Sequence, residues 1–257
     1  GVAWLIFMVP HSVVTVSVAT AYFTKMSTHV HENRMDLLKA DLAAGLRSIA
    51  LISVLATVAI SVLAYPISRV FVGEFPAIIS LGNVIVALML GLLPFSFVYM
   101  MQRAFFALED TRTPFWFTAV QIGLHIVGSI TISMTVAAEW LVVALSLLTS
   151  TTITIQAVLA YWLLTKRIGS FKQHGIAAAC AKFVISGVLA GLIGYAILQL
   201  LGGVVAGSFV VAKVASAGLS MVIAGGVMLA IYVMALRLLR VKEVDTVFSA
   251  IKGIVRR

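Results

Sequence analysis

The chain has 257 residues, of which 62% are hydrophobic and 11% are charged, and its mean hydropathy is +1.14. Soluble proteins carry roughly 25% charged residues, so this composition excludes a soluble fold and indicates a membrane protein. The formal net charge of +9 reflects topology and attraction to anionic lipid headgroups. It does not indicate a nucleic-acid partner, which would need a soluble basic face.

Seven runs of the chain contain no Asp, Glu, Lys or Arg, and each is close to or above the ~20 residues that a membrane-spanning helix needs. The runs are 2–23, 49–67, 78–101, 115–137, 141–164, 183–201 and 214–236. Because they are continuously apolar and do not alternate, they predict helices rather than barrel strands. The predicted fold class is therefore all-α, a polytopic helical membrane protein with seven transmembrane helices.

The basic residues are divided unevenly between the loops. Apart from Arg69 and Lys213, every Lys and Arg lies in 24–48, 102–114, 165–182 or 237–257. Cytoplasmic segments keep the excess of Lys and Arg. We therefore predict that these four segments, including the carboxyl terminus, are cytoplasmic.

The first run has Pro10 near its middle, followed by His11, Ser12 and Thr15. A proline inside a helix removes one backbone hydrogen bond and kinks the helix. Two interpretations of the polar side chains remain open. They line an aqueous cavity, or they bond within the helix bundle.

The polar segment 27–47 has apolar residues at spacings of three and four. They are Met35, Leu38, Leu42 and Leu46. This spacing predicts a helix with one apolar stripe, which we expect to lie along the inner membrane surface. His29 and His31 have no Cys or carboxylate framework around them beyond Glu32, so no metal site is predicted there.

A short charged segment, residues 103–114, separates the third and fourth runs and is called the hairpin below. Its polar residues are Arg103, Glu109, Asp110, Thr111, Arg112 and Thr113, followed by Pro114. One interpretation is a solvated turn in which Pro114 opens the next helix. The other is a gate, because guanidinium groups bind carboxylates by paired hydrogen bonds and Glu109 and Asp110 lie near both arginines.

The runs on either side of the hairpin have features of their own. Gly91 and Pro94 lie near the middle of the third run and predict a flexure that lets the hairpin move. Gln121, His125 and Ser129 share one face of the fourth run. These three side chains either line a cavity or have hydrogen-bond partners in the interior of the helix bundle.

The last two runs are rich in glycine, which predicts close helix packing. The glycines are Gly187, Gly191, Gly194, Gly218, Gly225 and Gly226. Beyond them, the tail 244–255 repeats apolar residues at helical spacing beside Lys252, which predicts an interfacial helix.

Two stretches resemble the lipid II flippases of the MurJ/MviN family. The hairpin reads Arg-Ala-Phe-Phe-Ala-Leu-Glu-Asp-Thr-Arg-Thr-Pro and resembles the loop after that family's tenth membrane helix. Residues 9–20, followed by Met26 and Ser27, resemble the eighth helix, with Pro10 near the middle of the first run and Ser27 closing its far end. The resemblance implies that the seven runs correspond to helices 8 to 14 of a MOP-type transporter. We accordingly expect the chain to be a carboxyl-terminal piece whose amino-terminal lobe is absent.

The resemblance implies three parts: 1–170 as core helices of one lobe, 171–240 as a final helix pair with a groove for a lipid tail, and 241–257 as a cytoplasmic amphipathic tail. It implies movement of lipid II from the inner to the outer leaflet of the bacterial plasma membrane by alternating access. The implied partners are lipid II, membrane lipids and the absent lobe. Alternatives are another MOP exporter, of polysaccharide-linked lipids or drugs, and a membrane scaffold for cell-wall or division proteins.

No enzyme site, cofactor or metal is predicted, because no nucleophile with a neighbouring base, no paired carboxylates and no phosphate-binding glycine loop is present. In some family members the eleventh and twelfth helices hold sodium through Asn, Asp and Thr. Here the eleventh has neither Asn nor Asp, although Thr151, Thr152 and Thr154 are present on the twelfth. Trp4 and Leu5 also stand where many members carry an Asp-Arg pair.

Overall fold

The computed structural model describes residues 1–171, 174–241 and 243, and within them the regular structure is entirely helical. In chain order the helices are α1 (Val2–Pro10), a π-helical segment (His11–Thr15), α2 (Val16–His31), α3 (Met35–Val62), α4 (Ala64–Phe71), α5 (Phe75–Met89), α6 (Leu92–Ala107), α7 (Arg112–Thr135), α8 (Leu141–Ile168), α9 (Ile176–Leu200), α10 (Phe209–Ala212) and α11 (Val214–Leu238). The predicted tail helix over 244–255 lies outside the described residues.

Seven helical stretches in the described residues are long and apolar enough to cross a membrane. They are Val2–His31, Met35–Val62, Phe75–Ala107, Arg112–Thr135, Leu141–Ile168, Ile176–Leu200 and Val214–Leu238. Each overlaps one of the charge-free runs. The predicted all-α fold with seven spans is therefore confirmed, and α4 and α10 are short helices in the loops between spans.

The first two spans are joined differently from what the sequence predicts. The segment 27–47 does not form a separate helix on the membrane surface, because α2 continues to His31 and α3 runs without a break from Met35. Leu38, Leu42 and Leu46 are fully buried against residues of α6 and α8. Three of the four stripe residues therefore have partners inside the protein, whereas Met35 is exposed, so the prediction of a separate helix on the membrane surface is wrong.

Both predicted irregularities inside spans are present. After Pro10 the first span widens into a π-helical segment. The third span breaks between α5 and α6 at Gly91, where the Ser150 hydroxyl of α8 donates to the Ala87 carbonyl at 2.6 Å and to the Leu88 carbonyl at 3.2 Å. A Cβ on Gly91 would lie 3.0 Å from the Ser150 Cα. The close approach of α8 therefore supplies a hydroxyl donor to two backbone carbonyls at the break.

The final pair, α9 and α11, packs together and against α3. Gly187 and Gly191 lie against valine side chains of α3, and Gly194 lies against Met228 of α11. The Tyr232 hydroxyl donates to the Leu51 carbonyl at 2.7 Å. The predicted close packing is thus confirmed for these three glycines. Gly218 and Gly226 have no neighbouring heavy atom within 4 Å of a Cβ position.

Candidate gate hairpin and cavity face

Within the hairpin, α6 ends in a backbone motif that normally favours glycine. Glu109 has a φ of 59°, in the left-handed region. The Glu109 N–H donates to the Phe106 carbonyl at 3.1 Å, and the Asp110 N–H donates to the Phe105 carbonyl at 3.0 Å. This is the bond pattern of a Schellman C-cap, in which glycine is the usual left-handed residue. A glutamate there carries backbone strain of about 1–2 kcal/mol.

Asp110 caps the start of α7. Its carboxylate accepts hydrogen bonds from the Thr113 N–H at 3.0 Å and from the Thr113 hydroxyl at 2.7 Å. Pro114 is buried in the first turn, where its missing N–H has no helical partner to lose. The predicted helix start at Thr113–Pro114 is therefore confirmed to within a residue, and Asp110, Thr113 and Pro114 serve to build it.

The electrostatics of Asp110 agree with this role. Burial raises the pKa of its carboxyl, but hydrogen bonds from Thr113 and from the Arg112 N–H, together with the charge of Arg167, outweigh burial and hold that pKa below its ordinary value. The carboxylate is therefore ionised at neutral pH, which strengthens its hydrogen bonds and suits a helix N-terminus.

Arg103 is half-buried. Its guanidinium donates to the Tyr99 hydroxyl at 2.6 Å and lies over the Tyr99 ring at 4.9 Å and the Phe23 ring at 5.8 Å. Contacts of a guanidinium with ring faces are favourable, more so when water is partly excluded. Arg103 therefore fixes the end of α6 against the first span.

Glu109, Thr111 and Arg112 are exposed at the tip of the hairpin. Among the described residues, neither Arg103 nor Arg112 forms an ion pair with Glu109 or Asp110. The intramolecular pairs considered from the sequence are therefore not formed in this conformation. The seven hairpin residues divide into a structural set, namely Arg103, Asp110, Thr113 and Pro114, and an exposed set, namely Glu109, Thr111 and Arg112.

The polar residues of the first span also divide between inside and outside. The His11 ring is buried, with its centroid 4.4 Å from that of Phe95 and 5.2 Å from that of Tyr99. Thr15 is buried and donates to the Ser96 hydroxyl at 2.9 Å. Ser12, next to half-buried Pro10, is exposed and donates to its own helix at the Val9 carbonyl. Only Ser12 of these candidates faces outward.

The polar stripe of α7 lies along α8. The Gln121 side chain donates to the Thr152 hydroxyl at 3.3 Å, and Gln156 of α8 donates to the Thr118 hydroxyl at 3.1 Å. His125 and Ser129, half-buried on the same face, continue the stripe. The His125 Nδ1 is buried without a hydrogen-bond partner among the described residues. The stripe therefore joins α7 and α8 in the half nearer the hairpin, and further along it has a histidine nitrogen without a partner among the described residues.

Comparison with known proteins identifies the family. The family model described as "Lipid II flippase MurJ" matches residues 2–216. This chain belongs to the MurJ lipid II flippase family. Flippases transport lipids and are not enzymes. The prediction that the protein is a transporter and not an enzyme is therefore confirmed at the level of the family. No curated protein matches the chain.

A solved MurJ structure has a similar fold. It is described as "Lipid II flippase MurJ, inward closed conformation", and the two chains are 17% identical with a TM-score of 0.64. The alignment covers 92% of this chain and 46% of that chain. The likeness shows the fold alone, and this chain spans less than half the length of the solved MurJ.

The MurJ resemblance did not indicate Tyr99, which connects the two candidate sites. Its ring packs edge-on against His11, and its hydroxyl accepts the hydrogen bond from Arg103. Tyr99 precedes Arg103 by four residues, so helical spacing could have shown that the two share a face.

For a metal, the described residues hold no group of three or more His, Cys, Asp or Glu side chains placed to bind one.

Proposed function

We propose that this chain forms part of a transporter that moves lipid II from the inner to the outer leaflet of the bacterial plasma membrane. The observation that carries the proposal is the MurJ family match over residues 2–216. Seven apolar spans support it, because they supply the helices of such a transporter. The remaining length of the solved relative leaves room for a second lobe.

The orientation that we propose places the hairpin and the carboxyl terminus in the cytoplasm. Seven successive spans that each cross the membrane alternate in direction, so the α2–α3 turn, the hairpin, the α8–α9 connection and the end of α11 share one end of the bundle. The hydrogen bonds of Arg47 with His174 and Glu243 support this arrangement. That end carries nearly all Lys and Arg residues of the loops. The positive-inside rule assigns such an end to the cytoplasm.

The gate that we propose uses only the exposed set of the hairpin. Glu109 and Arg112 present one charge of each sign at its tip and have no ion-pair partner among the described residues. A surface on the absent lobe with complementary charges would pair with them when the cytoplasmic side is closed. Arg103, Asp110 and Thr113 would hold the tip in place during this exchange.

The path that we propose for the substrate follows from which side chains of the first span, α9 and α11 are exposed. The headgroup would pass the outward face of the first span, where the exposed hydroxyls of Ser12, Ser17 and Thr20 bond to their own helix and can still accept from water. The polyprenyl tail would stay in lipid along the exposed apolar side chains of α9 and α11. A hydrated path is needed because a pyrophosphate entering hydrocarbon would lose its hydration at a cost of many kcal/mol.

Depletion of the full-length protein tests this function. Lipid II should accumulate on the inner leaflet, and externally added enzyme that cleaves lipid II should release less product from intact cells. Re-expression of the protein should restore the release. A scaffold for division proteins predicts that its loss leaves the lipid II distribution unchanged, and that result would refute the proposal.

A further inference from the structure

A second charged feature lies at the same end of the bundle as the hairpin. It is a cleft of about 290 Å³ where α3, the start of α9 and the end of α11 meet. Its polar lining includes Arg47, His174, Lys182, Arg240 and Glu243. None of these residues has a role in the hairpin or in the first span.

The cleft has a surplus of positive charge. Arg47 Nε donates to Glu243 Oε1 at 2.6 Å, and the Arg47 guanidinium also donates to the His174 carbonyl. Lys182 Nζ donates to the Leu239 carbonyl at 3.0 Å, and Arg240 is exposed. The described residues that line the cleft thus supply three cations, Arg47, Lys182 and Arg240, and one carboxylate, which pairs with Arg47. Basic pockets between helices at the cytoplasmic surface attract anionic lipid headgroups.

Two further features of the cleft favour an anion. Gly175, with a φ of +69°, precedes the 25-residue helix α9, whose first turn has no acidic residue and no side-chain cap. Its first N–H groups therefore have no helical acceptor, and the helix dipole adds positive potential there. In addition, the buried His174 Nε2 has no hydrogen-bond partner among the described residues. It can donate to an anionic oxygen.

An apolar recess next to the cleft suggests what carries the anion. Its volume is about 310 Å³, and its wall includes Leu46, Phe97, Met101, Ala157 and Ile176. Leu46 directly precedes Arg47, and Ile176 directly follows Gly175. Both recesses therefore border the same contact between α3 and the start of α9. A molecule with both a phosphate and an alkyl chain can use both.

We propose that this cleft binds the phosphate group of an anionic phospholipid, with an acyl chain in or near the apolar recess. The phosphate contacts Lys182, Arg240 and the start of α9, while Arg47 stays paired with Glu243. The choice of the cytoplasmic leaflet rests on the orientation proposed above. The binding site itself does not, because it is defined by residues that meet in the fold.

Native mass spectrometry of the purified full-length protein in detergent tests the site. The probes are phosphatidylglycerol, zwitterionic phosphatidylcholine and inorganic phosphate. We expect the protein to retain phosphatidylglycerol in preference to phosphatidylcholine. The double variant Lys182→Gln/Arg240→Gln should bind phosphatidylglycerol about 10- to 30-fold more weakly, because each basic residue near a lipid phosphate contributes to affinity.

The matched control removes two other cations from the same end of the bundle, Lys25→Gln/Arg34→Gln, and should leave binding unchanged. The single variant Arg240→Gln alters an exposed side chain and should weaken binding in the same direction without lowering the melting temperature. Unchanged binding in the double variant, or equal retention of phosphatidylcholine, would overturn the site. Displacement of phosphatidylglycerol by millimolar inorganic phosphate would show that the cleft binds free phosphate, and would overturn the proposal that the bound phosphate group belongs to a lipid. None of these measurements depends on lipid II transport.

Discussion

Asp110 and Thr113 form a two-point contact in which the carboxylate accepts from both the backbone N–H and the hydroxyl of the threonine. This contact begins α7 and leaves Arg112, which lies between them, exposed. The hairpin therefore combines a rigid base with a free charged tip. Most of our predictions separate these two parts.

Replacing Asp110 by Ala should destabilise the protein, because the start of α7 loses its cap. Removing such a cap costs about 1 kcal/mol. Thermal unfolding of the purified protein in detergent measures the change. The variant Asp110→Asn should lose less, since an amide oxygen still accepts from Thr113. Equal melting temperatures for Asp110→Ala and the unchanged protein would contradict the capping role.

The contribution of Asp110 should also depend on pH. Its folded-state pKa lies below the ordinary value of 3.8. Its ionised form therefore stabilises the fold at pH values above about 3.8, and this stabilisation is lost as the pH falls through the lowered pKa. The stability difference between the unchanged protein and Asp110→Asn should be constant from neutral pH down to about 5 and shrink below 3.8. A stability difference that grows on acidification would show that the carboxylate does not stabilise the fold, and would contradict the prediction.

Replacing Arg112 by Gln should reduce transport without reducing stability. Its side chain is exposed, so the change in stability should be within about 0.5 kcal/mol. Transport of lipid II should fall about tenfold if its partner on the absent lobe is a carboxylate that stays buried when the gate closes. The control is Arg34→Gln, an exposed arginine at the same end that pairs with Glu32. Full transport activity in Arg112→Gln would exclude Arg112 from the gate.

Replacing Glu109 by Gly should stabilise the hairpin by about 1 kcal/mol, because glycine adopts the left-handed conformation without strain. Glu109→Ala should bring no such gain, since alanine meets the same restriction. If Glu109 belongs to the gate, the more stable Glu109→Gly protein should nevertheless transport less lipid II. Strained residues often persist at functional sites for such a reason. Higher stability with unchanged transport would leave Glu109 without a role in the gate.

The packing of α9 against α3 gives a prediction with an internal control. A Cβ on Gly191 would lie 2.6 Å from a methyl group of Val58, whereas Gly226 has open space around it. Gly191→Ala should therefore destabilise the protein by about 1–3 kcal/mol through overpacking. Gly226→Ala should be neutral or stabilise by up to about 1 kcal/mol, because alanine favours the helix. Equal effects of the two variants on the melting temperature would contradict the packing.

The sequence was sufficient to predict the spans, the interruptions at Pro10 and Gly91, and the family. The spans follow from composition, the interruptions follow from residues whose backbone preferences act locally, and the family follows from two motifs in the chain. Three residues of the predicted stripe, Leu38, Leu42 and Leu46, pack inside the protein and not at the membrane surface, because periodicity does not distinguish lipid from protein as the apolar partner. Their true partners lie on α6 and α8, far away in sequence.

The sequence alone could not separate the hairpin residues into a structural set and an exposed set, for a similar reason. Arg103 and Arg112 look equivalent in a list of charges. Only the fold brings Phe23 and Tyr99 around Arg103 and leaves Arg112 outside. Likewise, spacing placed Gln121 on one face of α7, but it did not show that Thr152 of α8 occupies that face.

The location of the hairpin tip is the most direct test of the account. Thr111→Cys, in a Cys180→Ala background, can be treated with a membrane-impermeant maleimide in intact cells and in inverted membrane vesicles, with Lys213→Cys as the control for the opposite side. We predict that Thr111→Cys is labelled only in inverted vesicles and Lys213→Cys only in intact cells. Labelling of Thr111→Cys in intact cells would place the tip outside the cytoplasm and contradict the proposed gate.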